Sequence, residues 1–466
     1  MTTSIHDPAR TALEAGVEGP VLFAGDPRIE HELAGFNLAV RHDPHVVVGA
    51  TSAADVAAAV RYAARRDLAV GVHATGHGGF SSRDTVIVST HRMLACSVDP
   101  VLATATVQAG VPWSMVISAA APHGLAPLSG SASSVGAVGY TVGGGAGPII
   151  RSHGFAADHV TSLEMVTADG QVRVVDGEHD PDLFWAVRGG KANFGVVTQL
   201  TTRLVRLSTL YAGAVYFPGE HAVELLHSWR EWVDTLDERT TSSIALLRLP
   251  DLPHVPAPLR GRLTVHLRFA HTGDPESGRL ILEPMLRTAP SLIDTVREMP
   301  YSEVDSIHND PTEPMPAWSR GSFLRALPAE ALDTLLDQAG PGVQSPLVVV
   351  ELRHLGGAAS RHPVPDNAVT GRDAPFAVNA VGPLFPPVAE IVPNVGHRLL
   401  DALAPWSTGQ EPVNFSGGPR TPGDGTTAWP AAIRERLLDV KRRHDPDNVF
   451  RTGFALLATG SQPQNA

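Results

Sequence analysis

Cysteine is nearly absent. Cys96 is the only one in 466 residues, so neither an intramolecular disulfide nor a thiolate-held metal cluster can form, and Cys96 itself is expected to be a buried structural thiol. Runs of positive charge are also missing. The 36 Lys and Arg against 48 Asp and Glu leave a formal charge of -12, which favours solubility and disfavours nucleic acid as a partner. No stretch is long and apolar enough to span a membrane. Met1 to Arg10 lacks the positive head and apolar run of a secretory leader, so a cytoplasmic protein is expected. There is no Walker loop and no Gly-x-Ser-x-Gly elbow, which argues against a P-loop enzyme or an α/β-hydrolase. Histidines are plentiful, but His73 and His77 fall on a strand and a turn rather than one helix face, so they do not imitate a zinc site.

What is present is a chain of ordinary globular balance, 43% apolar and 18% charged, long enough for two or three domains. Three textures divide it. From about Val21 to Leu207 it has short β-like runs, many glycines and one clear helix over Ser52 to Arg66, with Val56, Ala59, Val60 and Ala63 on one face. Strands are predicted at Val46 to Val48, Leu68 to Ala74, Val86 to Ser89 and Thr104 to Ala109. Val160 to Thr167 and Gln171 to Val175 make a hairpin around Ala168-Asp169-Gly170. From about Ser208 to Pro405, strands (Leu263 to Ala270, Leu347 to Leu355) mix with helices (His221 to Leu236, Pro328 to Gly340) and proline-rich loops, as in an inserted α+β domain. The remainder carries an amphipathic helix, Ala428 to Arg443, stopped at Asp445-Pro446-Asp447-Asn448. It is too short to fold alone, so it is expected to pack back on the first region. The polar tail, Thr459 to Ala466, is the one segment that suggests disorder.

Two glycine clusters stand out: His73-Ala74-Thr75-Gly76-His77-Gly78-Gly79-Phe80-Ser81, and Ser129 through Gly147. Such runs permit left-handed backbone and close approach to a ligand, and successive N–H groups can form an anion nest. A pyrophosphate is the natural guest. A Rossmann turn would open a helix, but the first cluster runs into another strand. A dinucleotide held outside a Rossmann frame is therefore preferred over the bland reading of two tight turns.

These residues resemble the FAD-linked oxidases of the vanillyl-alcohol oxidase (PCMH-type) superfamily, in the branch similar to berberine bridge enzyme. The resemblance rests on Thr75-Gly76-His77-Gly78-Gly79, on Val135-Gly136 through Gly147, on Asp182 to Gly190 followed by Asn193 to Thr198, on Val413-Asn414-Phe415 and on Asp445 to Phe450. It implies an α+β fold: a two-part FAD-binding domain (1–207 and 406–466) with an inserted substrate domain (208–405), an antiparallel sheet covered by helices.

The resemblance also implies roles. His77 would carry FAD covalently. The cysteine that makes a second bond in many relatives is Ala132 here, so one attachment is expected. Thr75, Gly76, Gly78, Gly79, Ser81, Ser134, Val135, Gly136, Gly139, Tyr140, Val142, Gly195, Val197 and Asn414 would line the cofactor. Val135 matches the position that gates oxygen. Glu351 is the candidate base, with Arg353 and Asn414 beside it in the catalytic set. Period two puts Glu351 and Arg353 on one strand face, and a desolvated glutamate would have a raised pKa. The alternative is a structural Glu351–Arg353 pair. His354 points the other way.

Two departures bear on the chemistry. The family tyrosine is replaced by Pro412, and the histidine loop has His73 and Thr75 where arginine and glycine are common. The expected activity is hydride transfer from a small organic substrate to flavin, reoxidised by O2 to H2O2. Tyr216, Trp318, Phe323, Phe376 and Phe385 favour a natural-product intermediate over a free sugar. A flavin monooxygenase or oxidative cyclase, and a cyclisation scaffold with structural FAD, are the rival readings. No membrane or nucleic-acid partner is expected, and a homo-oligomer is compatible with the sequence.

Overall fold

A computed structural model describes residues 7–253, 255–415 and 427–457. The polar tail Thr459 to Ala466 lies outside the described residues.

The N-terminal region builds two main sheets, with two short two-stranded pairs beside them. In the first, strands lie in the order Val21–Phe23, Val46–Gly49, Thr85–Ser89, Ala69–His73, the last three parallel to one another. The helix Ala53–Arg65 covers it. Ser52 caps that helix by accepting from the Asp55 N–H at 3.3 Å, and Val56, Ala59, Val60 and Ala63 are fully buried. The apolar stripe read from the sequence is thus the face that packs. The second sheet is antiparallel, in the order Val172–Asp176, Val160–Val166, Val196–Arg203, Thr104–Gln108, Cys96–Asp99. Its outer hairpin turns at the predicted Asp-Gly. Cys96 sits on its edge strand and is half-buried rather than buried, because an edge strand has neighbours on one side only.

The third sheet is antiparallel and runs Ile293–Asp294, Thr209–Pro218, Leu263–His271, Thr240–Arg248, Val349–His354, Phe376–Pro383, Ala317–Leu324. One face is apolar. Ile244, Leu267, Leu352 and Val378 meet Trp229, Leu282, Leu335 and Leu399 from the helices Ala222–Val233, Pro275–Leu286, Ala329–Ala339 and Val392–Ala402. The other face is largely polar in its middle rows and looks toward the glycine loops.

The C-terminal helix Ala431–His444 returns to the N-terminal region. Leu437, Leu438 and Val440 join the core around Trp113 and Phe184. Val449 and Phe450 join the core under the first sheet, and the Val70 N–H donates to the Val449 carbonyl at 2.9 Å. Lys441 and Asp445, both fully buried, pair at 2.5 Å.

Candidate active site

The His77 turn is fixed by a close backbone crossing. Gly76 has φ +72°, and a Cβ there would lie 2.5 Å from the Gly35 Cα. No side chain fits. Phe36 N–H donates to the Thr75 carbonyl at 3.0 Å and Asn37 N–H to that of Gly76 at 3.1 Å. This crossing lays the His77 imidazole flat on the Phe36 ring, centroids 4.2 Å apart.

His77 then ties the two glycine loops together. Its Nδ1 is 3.0 Å from Thr75 Oγ1 and its Nε2 is 3.2 Å from Ser134 Oγ. Thr75 Oγ1 also accepts from the Gly136 N–H at 3.2 Å, and the Val135 carbonyl accepts from Trp113 N–H at 3.0 Å. Burial holds the His77 pKa down at about 4, so the ring is neutral and keeps a nucleophilic nitrogen at physiological pH.

Farther along the second loop, Tyr140 packs against Gly145, where a Cβ would lie 2.5 Å from its ring. Its hydroxyl is buried and has no hydrogen-bond partner. Asn414 donates from Nδ2 to the Tyr140 carbonyl at 2.8 Å, and a Cβ on Gly143 would come 2.2 Å from Asn414 Oδ1. The segment at Val413–Phe415 thus bridges the loop to the third sheet, where Ser319 Oγ donates to the Phe415 carbonyl at 3.2 Å.

The other expected cofactor residues are distributed more widely. Gly78 and Gly139 face open space, while Gly79 abuts Val40. Ser81 Oγ is engaged by the Arg41 N–H at 3.0 Å. Val142 has its side chain in the core, and its carbonyl accepts from the Gly189 and Lys191 N–H groups. Gly195 packs against Met165, and Val197 lies opposite Met165 in the second sheet with its side chain in the core.

Glu351 and Arg353 do share a face, but the expected raised pKa is wrong. Glu351 Oε1 is 2.5 Å from Arg268 Nη1 and Oε2 is 2.9 Å from Arg353 Nε. Although burial alone would raise the carboxyl, the Arg353 and Arg268 guanidiniums overcome it and hold the pKa at about 2. A carboxylate so strongly held is a poor proton acceptor, so the structural pair, weighed as the alternative, describes Glu351 better. His354 does point to the opposite face, where its Nε2 accepts from Arg151 Nη1 at 2.9 Å.

Of the expected substrate-side aromatics, Trp318 and Phe376 belong to the core beneath the helices, and Phe385 is on the surface. Tyr216 stacks on His266 at 4.1 Å. Phe323 lines a cleft with Gly143, Asn414 and Phe415.

Phe36, Arg268, His308 and Lys191 escaped the sequence reading. Arg268 and His266 alternate on a strand that was predicted, so their shared face was legible there. His308 follows a helical turn, and its approach to Glu351 Oε1 (3.7 Å) is purely tertiary. Lys191 reaches the Gly139 carbonyl at 3.4 Å, and burial lowers its pKa to about 8. Phe36 gave no local signal.

The residues present fit a flavin dinucleotide. Glycines sit where a Cβ would collide, Tyr140 carries an unpaired buried hydroxyl, and a neutral histidine stands at the meeting of two loops. Residues 44–176 match the family described as FAD binding domain. An uncharacterized FAD-linked oxidoreductase of Bacillus subtilis, YvdP, is 26% identical over 93% of this chain and 96% of its own length. The chain carries an FAD-binding domain and is an FAD-linked oxidoreductase. The fold of this FAD-linked oxidoreductase agrees with solved structures along nearly its whole length. The 6-hydroxy-D-nicotine oxidase of Arthrobacter nicotinovorans superposes with TM-score 0.82 at 22% identity, covering 95% of this chain and 98% of that one. The glucooligosaccharide oxidase of Acremonium strictum, whose FAD is described as 6-S-cysteinyl and 8α-N1-histidyl, gives TM-score 0.83 at 18% identity, over 97% of this chain and 100% of that one. Among the described residues, no cluster of potential ligands could hold a metal ion, and no helix is long and apolar enough to cross a membrane.

Proposed function

We propose that this FAD-linked oxidoreductase is an oxidase that holds its flavin through one covalent bond to His77. The observation that carries the reading is the His77 imidazole: neutral, stacked on Phe36 and set between Thr75 and Ser134 where the two glycine loops meet. The glucooligosaccharide oxidase with similar fold has a histidyl and a cysteinyl bond. Ala132 offers no thiol for the second, and Cys96 lies on the edge of another sheet. In the proposed division, 1–207 and 406–466 hold the flavin and 208–405 holds the substrate.

Bound FAD supplies the redox chemistry, accepting a hydride equivalent from the substrate and passing the electrons to O2 to give H2O2. The chain's own groups position the substrate. Asn414 and Tyr140 set the loop against the sheet, and Val135 leaves the oxygen side lined by a small apolar group. Arg353 and Arg268 hold the substrate. Beside them His308 is kept neutral by burial and by the same two guanidiniums, and its unpaired Nδ1 is left to hydrogen-bond the substrate.

The test is acid denaturation of the purified protein followed by gel electrophoresis, with His77→Ala alongside. A fluorescent band lost in the variant supports the single histidyl bond. Free FAD in the supernatant of the wild type removes the covalent bond but keeps the flavoenzyme. Protein purified without any flavin from flavin-replete cells sinks the oxidase.

A further inference from the structure

The polar face of the third sheet carries an unbalanced charge. Arg268 and Arg353 both lie directly opposite Ser243, one on each neighbouring strand. Glu351, one row along, is the carboxylate that touches both. Two guanidiniums and one carboxylate leave a net charge of +1. The neighbouring imidazoles do not add to it, since burial and the Arg268 guanidinium keep His266 and His308 neutral. Two further acids near this region, Asp305 and Asp310, turn to the Ser133 N–H and hydroxyl and to the Ser131 hydroxyl, and neither lines the cleft.

The cluster is also under-satisfied. Arg268 is 4% exposed and its Nε has no partner. His308 is 7% exposed with Nδ1 unpaired, and neither ring nitrogen of His266 is paired. A buried guanidinium with an idle donor is costly unless a ligand meets it. Arg268, Arg353 and His308 line one cleft, closed on its other side by Ala146, Gly147 and Pro148 of the second glycine loop. The centroid of the Phe415 ring lies 4.4 Å from the Arg353 guanidinium.

We propose that the substrate is an organic anion whose carboxylate is received by Arg268 and Arg353 in this cleft. The proposal rests on the oxidase reading for what happens next, and it names the class of molecule. Glu351 balances one of the two positive charges and spaces the guanidiniums. The substrate's own carboxylate balances the second and takes the idle Arg268 donor. Recognition of this kind excludes neutral analogues, because they would leave a buried charge unmatched. The anchored acid group would place the oxidisable carbon toward the glycine loop that carries Tyr140.

The test titrates the purified holoprotein with benzoate and with benzamide, by calorimetry and by the flavin absorption spectrum. Benzoate is expected to bind at least tenfold more tightly than benzamide and to perturb the spectrum. Arg268→Gln and Arg353→Gln should each weaken benzoate at least tenfold and leave benzamide unchanged. Glu351→Gln raises the cluster charge to +2 and should tighten benzoate, an effect opposite in sign to general damage. Equal binding of the two probes, no binding of benzoate at millimolar concentration, or weaker benzoate binding in a folded Glu351→Gln protein overturns the proposal. Benzoate binding to protein without flavin would keep the anion site and remove the oxidase. A flavin-bearing protein indifferent to the probe's charge would do the reverse.

Discussion

The His77 imidazole and the Phe36 ring lie face to face, 4.2 Å between centroids and 8° between planes. The stack fixes the ring rotation that the two hydrogen bonds alone would leave loose. Phe36→Ala removes it, at a stability cost of about 1 kcal/mol. The larger expected effect is on flavin attachment: the fraction of protein with acid-stable flavin fluorescence should fall several-fold. Full attachment in Phe36→Ala would show that Thr75 and Ser134 suffice.

Gly143 lies beneath Asn414. A methyl group there would come 2.2 Å from Asn414 Oδ1 and displace the bond from Nδ2 to the Tyr140 carbonyl. Gly143→Ala is expected to lower the flavin-to-protein absorbance ratio markedly while circular dichroism stays native. A normal ratio would place the cofactor away from this contact.

The Lys441–Asp445 pair is buried on both sides, and Lys441 also donates to the carbonyls of Asn193 and Phe450. Lys441→Met strands the Asp445 charge and should cost about 3–5 kcal/mol. Adding Asp445→Asn should recover part of the loss. A guanidinium denaturation cycle on the four proteins measures the coupling, and simple additivity would contradict the pairing.

Acid should weaken the fold in two stages. Burial depresses the His354 pKa from 6.5 to about 3, and Arg151 can donate only to its unprotonated Nε2. Its stabilising contribution is therefore full above pH 6.5 and lost as pH falls toward 3. Glu351, lowered from 4.5 to about 2, contributes fully above pH 4.5 and loses that contribution as pH falls toward 2. The denaturation midpoint should be level from pH 8 to 7 and then fall. His354→Gln, which can still accept from Arg151, should flatten the upper stage by on the order of 3 kcal/mol. An unchanged slope in that variant would assign the acid sensitivity to other groups.

Much of the frame was legible because it is local. Ser52 and the Val56–Ala63 stripe specify one helix, and the Asp169-Gly170 turn specifies one hairpin. The alternation Val350-Glu351-Leu352-Arg353 divides a strand between core and cleft. The glycines at 76 and 143 mark backbone that cannot carry a side chain, although the sequence did not say which neighbours forbid it. The aromatic positions misled for a related reason. Trp318 and Phe376 are apolar and sit on a sheet, but period two does not say which of its faces the helices cover.

The sequence by itself determined the elements, the two glycine loops and the histidine between them, since each depends on residues close in the chain. Tertiary structure alone decided the charges. Glu351 looks like a general base on its own strand. Arg268, brought from 83 residues away, makes it the counter-ion of two guanidiniums, because in a buried site the field of a neighbouring charge outweighs the desolvation that would otherwise raise its pKa.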